Sequence, residues 1–235
     1  MRRVIGFCRR WAAMAVLAPI LAACAVTPLA PTIAYHPSGG ARTIALLTPY
    51  VPPHERLTSL GPVTLIGYTG LLGVIYDQSV QKDHEIAFDA LLARQGFRPR
   101  AVLARDVTQR LEGEGYRVVP LAAARPGPHF LAALPPAPPG VTLELDVVAV
   151  HIGYLRLGRS YRPDVELKYR LVRTGTGQVL GEGAADYSAL GGGTPPDPAY
   201  SYAGYGRFAA DPSRAAKALS ELLDRAAARI AAGLH

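Results

Sequence analysis

The 235-residue chain is 49% hydrophobic and 18% charged, with 25 basic against 18 acidic side chains and a formal charge of +7. The apolar share excludes a disordered chain, and the length suits one domain or at most two. Two cysteines exclude both a disulfide framework and a four-cysteine zinc site, while 21 prolines and 24 glycines imply long punctuated loops.

The amino terminus reads as an address. Arg2, Arg3, Arg9 and Arg10 precede the uncharged run Trp11–Leu21, which is too short for a mature span of a bilayer about 30 Å thick. A basic region, a short apolar region and small residues together make a secretory signal. It closes on Leu21-Ala22-Ala23-Cys24, which resembles a bacterial lipobox. That resemblance implies cleavage before Cys24 and acylation of its sulfur with diacylglycerol and palmitate-type chains. Loss of residues 1–23 removes four arginines and lowers the charge from +7 to +3. No basic patch for nucleic acid then remains, and no free thiol is left for a disulfide, a metal or nucleophilic catalysis. Ala25 is not the aspartate of inner-membrane retention, so the resemblance implies the periplasmic leaflet of the outer membrane.

Residues 24–41 carry Pro28, Pro31, Pro37 and Ser38-Gly39-Gly40 without an apolar period, and read as a tether reaching roughly 60 Å when extended. Residues 42–235 read as one domain. It opens with a buried strand from Arg42 to Tyr50. Leu57–Tyr76 follows, twenty residues without a charge, in which Gly67, Gly70 and Gly73 permit close backbone approach. Three readings apply to it: a glycine-kinked buried segment, a membrane-contacting or self-associating surface, or a second span. A helix to about Gln95 is expected next, with Ile86, Leu91 and Leu92 inward and Gly96 as its stop. A second helix runs from Pro99 to Gly113, and a strand from Gly115 to Pro120.

Ala122–Gly140 is alanine- and proline-rich and predicts a loop. Val141–Arg156 begins with strict alternation, setting Val141, Leu143, Leu145 and Val147 against a wet Thr142, Glu144 and Asp146. Asp164–Arg173 alternates again and turns at Thr174-Gly175-Thr176-Gly177 into Gln178–Ser188. A loop bearing Tyr200, Tyr202, Tyr205, Arg207 and Phe208 leads to a final helix. Asp211 caps that helix, Pro212 opens it, and Leu219, Leu222, Leu223, Ala226 and Ile230 form its stripe. The expected fold is α+β: a two-layer domain with an antiparallel sheet and long hairpin, helices on one face and a C-terminal helix.

The run RLEGEGYRVV, then LELDVVAV, then VELKYRLVRTGTGQVLGEG resembles a group of Gram-negative periplasmic assembly lipoproteins. Their domain is similar to the amino-terminal domain of TolB and to the core of the curli-secretion lipoprotein. Gly115, Tyr116 and Val118, then Thr176, Gly177, Val179 and Leu180, occupy the group's pattern. The resemblance implies a scaffold without specifying a substrate.

Catalytic patterns fail. His84-Glu85 has no second histidine at helical spacing, so a zinc-protease motif is excluded, and no nucleophile elbow or phosphate loop appears. His151 falls at the end of a β run and reads as a satisfied or edge histidine, not a ligand. No metal or cofactor is expected. The tyrosine loop is the best contact surface, with rings suited to recognition, although the same rings also suit packing back onto the sheet. The chain therefore reads as a lipid-anchored, non-enzymatic accessory protein binding other envelope proteins in the cell envelope of a Gram-negative bacterium. An oligomeric, pore-like lipoprotein (a homo-oligomer) and an unrecognised envelope hydrolase are the alternatives.

Overall fold

The computed structural model describes residues 42–53, 56–59, 83–157, 159–188 and 194–234. Cys24, the tether and Gly67, Gly70 and Gly73 lie outside them.

The strands are β1 (Arg42–Leu47), β2 (Arg56–Ser59), β3 (Tyr116–Leu121), β4 (Leu143–Leu157), β5 (Ser160–Arg173) and β6 (Val179–Tyr187). They form one six-stranded sheet in the order β3-β1-β4-β5-β6, with β2 also pairing β4. The fold is α+β, as the sequence reading expects. The sheet, however, is mixed. The hairpin strands β4, β5 and β6 are antiparallel, whereas β1 runs parallel to both β3 and β4.

The apolar strand and the start of the uncharged segment share one edge. Ile44 pairs Leu143, Tyr50 bridges Val148 and Arg56 pairs Gly153, so residues on either side of Pro49, Pro52 and Pro53 follow β4 in tandem. Proline lacks the N–H that a continuous ladder needs, which divides this run into β1 and β2. Leu57, at the head of the uncharged segment, is a buried residue of β2; the rest of that segment from residue 60 lies outside the described residues.

Helix α1 covers residues 83–94, α2 is Pro99–Gly113, α3 is Tyr205–Ala210 and α4 is Pro212–Ala232. Pro99 occupies the first turn of α2, where a missing N–H costs nothing. Gly115, at φ +83°, takes the left-handed turn from α2 into β3. Asp211 caps α4 by accepting from the Arg214 amide at 3.2 Å. Leu219, Leu222, Leu223, Ala226 and Ile230 are all buried, the stripe expected from their spacing. On α1, Leu92 is fully buried but Ile86 is 61% exposed, so the inward face is narrower than its apolar pattern implies. Among the described residues, no helix is long and apolar enough to cross a membrane.

The main core lies between the helices and the face of β4 that carries Leu143, Leu145, Val147 and Ala149. Tyr169 joins it from β5, its ring placed so that a Cβ at Gly183 or Gly233 would strike the hydroxyl. Gly233 follows the last residue of α4 at φ −76°, outside the left-handed region, and its missing side chain makes room for that tyrosine.

Two residues depart from the expected wet face. Glu144 and Asp146 are 3% and 0% exposed because the proline-rich segment from residue 122 to 140 folds across them. The Arg125 guanidinium donates to Asp146 Oδ1 at 2.5 Å and to the Val147 carbonyl at 2.9 Å. The Leu131 amide donates to Asp146 Oδ2 at 2.9 Å, and Arg170 Nη2 donates to the Leu131 carbonyl at 2.6 Å. A loop rich in alanine and proline loses little side-chain entropy on ordering, and these bonds fix its path.

Candidate functional site

The tyrosine loop does not stand free. Tyr161 and Tyr202 exchange backbone hydrogen bonds of 2.8 and 2.9 Å, which lays the segment against the start of β5. Strand-like placement turns Tyr202 inward, to 4% exposure, and Phe208 of α3 is 1% exposed. Phe208 packs on Tyr154 at 4.6 Å between ring centroids, on Phe88 at 4.4 Å and on Tyr202 at 5.0 Å. Burial therefore removes Tyr202 and Phe208 from the expected contact surface. Both close the end of the core.

The hydroxyls agree with this placement. Burial pushes Tyr202 up to about 12 and Tyr154 higher still, so neither ionises under physiological conditions. Tyr202 donates to the Asp211 carbonyl at 3.0 Å, and the Arg214 guanidinium lies 4.9 Å from its ring centre. Tyr205 is half-buried. Its ring stacks on His84 at 3.7 Å and 6°, and its hydroxyl donates to the His84 carbonyl. Tyr200 is also half-buried, its hydroxyl held high by the neighbouring Glu221 carboxylate. Arg207 is exposed and makes the outer edge of this corner.

Of the two alternatives for His151, satisfied or at an edge, the structure gives a buried residue with Nε2 3.5 Å from Asp164 Oδ2. Burial lifts the Asp164 carboxyl to about 6. Among the described residues, no group of three metal-ligating side chains converges.

The candidate site that sequence reasoning missed lies at the carboxyl ends of β1 and β3. The chain leaving β1 reaches β3 through α2 on one face, and the chain leaving β3 returns to β4 beneath the other face. Connections parting in this way open a crevice at the strand ends, where ligands of open α/β sheets bind. Here the crevice holds about 910 Å3, within the range of small-molecule and peptide sites. Its floor is Leu46 and Leu121, its helical wall is Ala101, Ala104 and Thr108, and its loop wall is Pro49, Pro52 and Pro53. Prolines and alanines give up almost no side-chain entropy on contact, so the surface is formed before anything binds. Arg98 and Arg100, at the start of α2 and both exposed, line it together with Asp89 of α1. The only sequence signal was the run of prolines, Pro49, Pro52 and Pro53, just past the apolar strand β1.

No family model matches the chain, and no curated protein does. Solved structures are similar to it in arrangement. A protein of family DUF330 from Xanthomonas campestris is 11% identical, covering 84% of this chain and 87% of its own, with a TM-score of 0.40. The PelC dodecamer from Paraburkholderia phytofirmans is 12% identical over 85% of this chain and 96% of its own, at 0.33. Lipoprotein GNA1162 from Neisseria meningitidis is 15% identical over 62% and 81%, at 0.28. These likenesses assign no activity, ligand or partner to the crevice.

Proposed function

We propose that the protein is a lipid-anchored, periplasm-facing lipoprotein of the outer membrane that acts by binding, as an accessory to an envelope assembly or transport machine. The reading is carried by Leu21-Ala22-Ala23-Cys24 behind a basic and apolar leader. The domain, which resembles the amino-terminal domain of TolB, supplies the binding surface. An apolar segment of an envelope protein, with bulky side chains for the alanine and proline walls and an acidic flank for Arg98 and Arg100, occupies the crevice. The role is non-enzymatic: most of the crevice wall is alanine, proline and leucine suited to contact, and Thr48, Thr108, Asp89, Arg98 and Arg100 supply its polar groups.

Replacing Cys24 tests the anchor. Cells fed labelled palmitate incorporate it into the parent, which sediments with outer membrane; Cys24→Ser takes up none and appears in the soluble periplasmic fraction. Equal labelling of both proteins, or a parent found wholly in the soluble fraction, overturns the reading.

A further inference from the structure

The outer face of α1 carries a pattern that the fold itself does not use. Phe88 and Leu92 turn inward and are buried. On the opposite side, at helical spacing, stand Asp83, Ile86, Ala87, Ala90, Ala93 and Arg94, all exposed. Ile86 is the most exposed large hydrophobic side chain among the described residues. A lone exposed apolar residue is ordinary on a protein surface. This one continues into three alanines, and the stripe ends in a charge of opposite sign at each end.

That stripe is complementary to itself. Lay two such helices antiparallel about a twofold axis midway between Ala87 and Ala90. Asp83 of each copy then meets Arg94 of the other, because both lie equally far from the axis. Ala87 meets Ala90, and side chains this small let the two helices approach closely. Each Ile86 falls over Ala90 and Ala93 of the other copy, which covers the apolar side chain that the fold leaves in water. The flanks agree: half-buried Glu85 lies near the acidic end, and exposed Arg98 follows the basic end. A parallel pair would set Asp83 beside Asp83 and Arg94 beside Arg94, which like charge opposes. An anionic lipid surface would repel the acidic end of the stripe. The geometry points to a contact between two copies of this chain, an isologous dimer built on the outer faces of two antiparallel α1 helices. It is separate from the crevice, which shares only Ala93 with the stripe. A helix pair of about three turns is a small interface, so the dimer dissociates on dilution.

The test is sedimentation velocity on the full chain carrying Cys24→Ser. Monomer and dimer interconvert with concentration, with half-association between about 10 and 500 μM. Ile86→Asp raises that midpoint at least about tenfold. Asp83→Arg and Arg94→Asp each raise it at least about threefold, and the two combined in one chain restore it, since both ion pairs re-form with their ends exchanged. Thermal melts check that these exposed substitutions leave the fold intact. A second measurement needs no loss of association. With Cys8→Ser added, Ala90→Cys gives a dimer-sized product with a short bis-maleimide, whereas Gln109→Cys on the exposed side of α2 gives none. A monomer throughout the concentration range, which would leave the stripe to a different protein, overturns the proposal. So does association indifferent to Ile86→Asp, a double exchange that fails to restore it, or equal crosslinking from positions 90 and 109. Each of these outcomes leaves the reading of the anchor and crevice intact.

Discussion

Asp164 is a carboxylate in a place that disfavours its charge. It is 4% exposed, and its pKa rises to about 6 chiefly through burial, with Asp186 and Glu166 adding to the rise and the Ser188 hydroxyl opposing it. Its ordinary value is 3.8, so between about pH 4 and 6 the folded chain holds this proton more tightly than the unfolded chain. Stability is therefore highest below that window and falls as pH rises through it, by about 3 kcal/mol from this group. Urea titrations of Asp164→Asn are expected to show a flatter pH profile than the parent and a higher midpoint at pH 7. Asp106, Glu144 and Asp186 shift in the same direction, so some slope persists. An unchanged slope in the variant would mean that the carboxylate is hydrated.

Among the elements, α3 illustrates how a recognition-like composition becomes a lid on the core. Phe208→Ala opens a hole among Phe88, Tyr154 and Tyr202 and is expected to cost about 3–5 kcal/mol, whereas Arg207→Ala next to it changes stability by less than about 0.5 kcal/mol. Thermal melts of the pair separate the buried residue from the exposed one; equal effects would place Phe208 at the surface. Sequence reasoning held Tyr202 and Phe208 as contact residues because glycine and tyrosine on a loop favour both outcomes, and only the Tyr161–Tyr202 pairing decides between them. The hairpin and α4 were legible because their periods, turn glycines and the Asp211-Pro212 cap are local signals. The parallel pairing of β1 was not, since it depends on partners about a hundred residues away. Nor was the burial of Glu144 and Asp146. Alternation assigns a side to each residue but does not reveal that a later loop will cover that side.

For the whole molecule, the two faces of the sheet are finished by different means. Helices close one face with hydrocarbon; a proline-rich strap pinned by Arg125, Asp146 and Arg170 closes part of the other. The crevice lies where these two coverings part, and its walls need no rearrangement to receive a partner. Ala104→Glu puts a charged side chain on its helical wall while leaving the core untouched. Site-specific photocrosslinking from Thr108 in cells is expected to give a discrete adduct with the parent that falls several-fold in the variant, with melting temperatures alike. An adduct of undiminished yield would show that the crevice is not the contact.

The direction of β1 also fixes where the crevice stands in the domain. The described domain starts at Arg42 and the crevice opens just past Leu47, one strand length or about 20 Å further along. Its floor residues Leu46 and Leu121 sit at the exit of that strand and of its parallel neighbour β3, so an occupant meets the end of the sheet opposite to the one at which Arg42 enters.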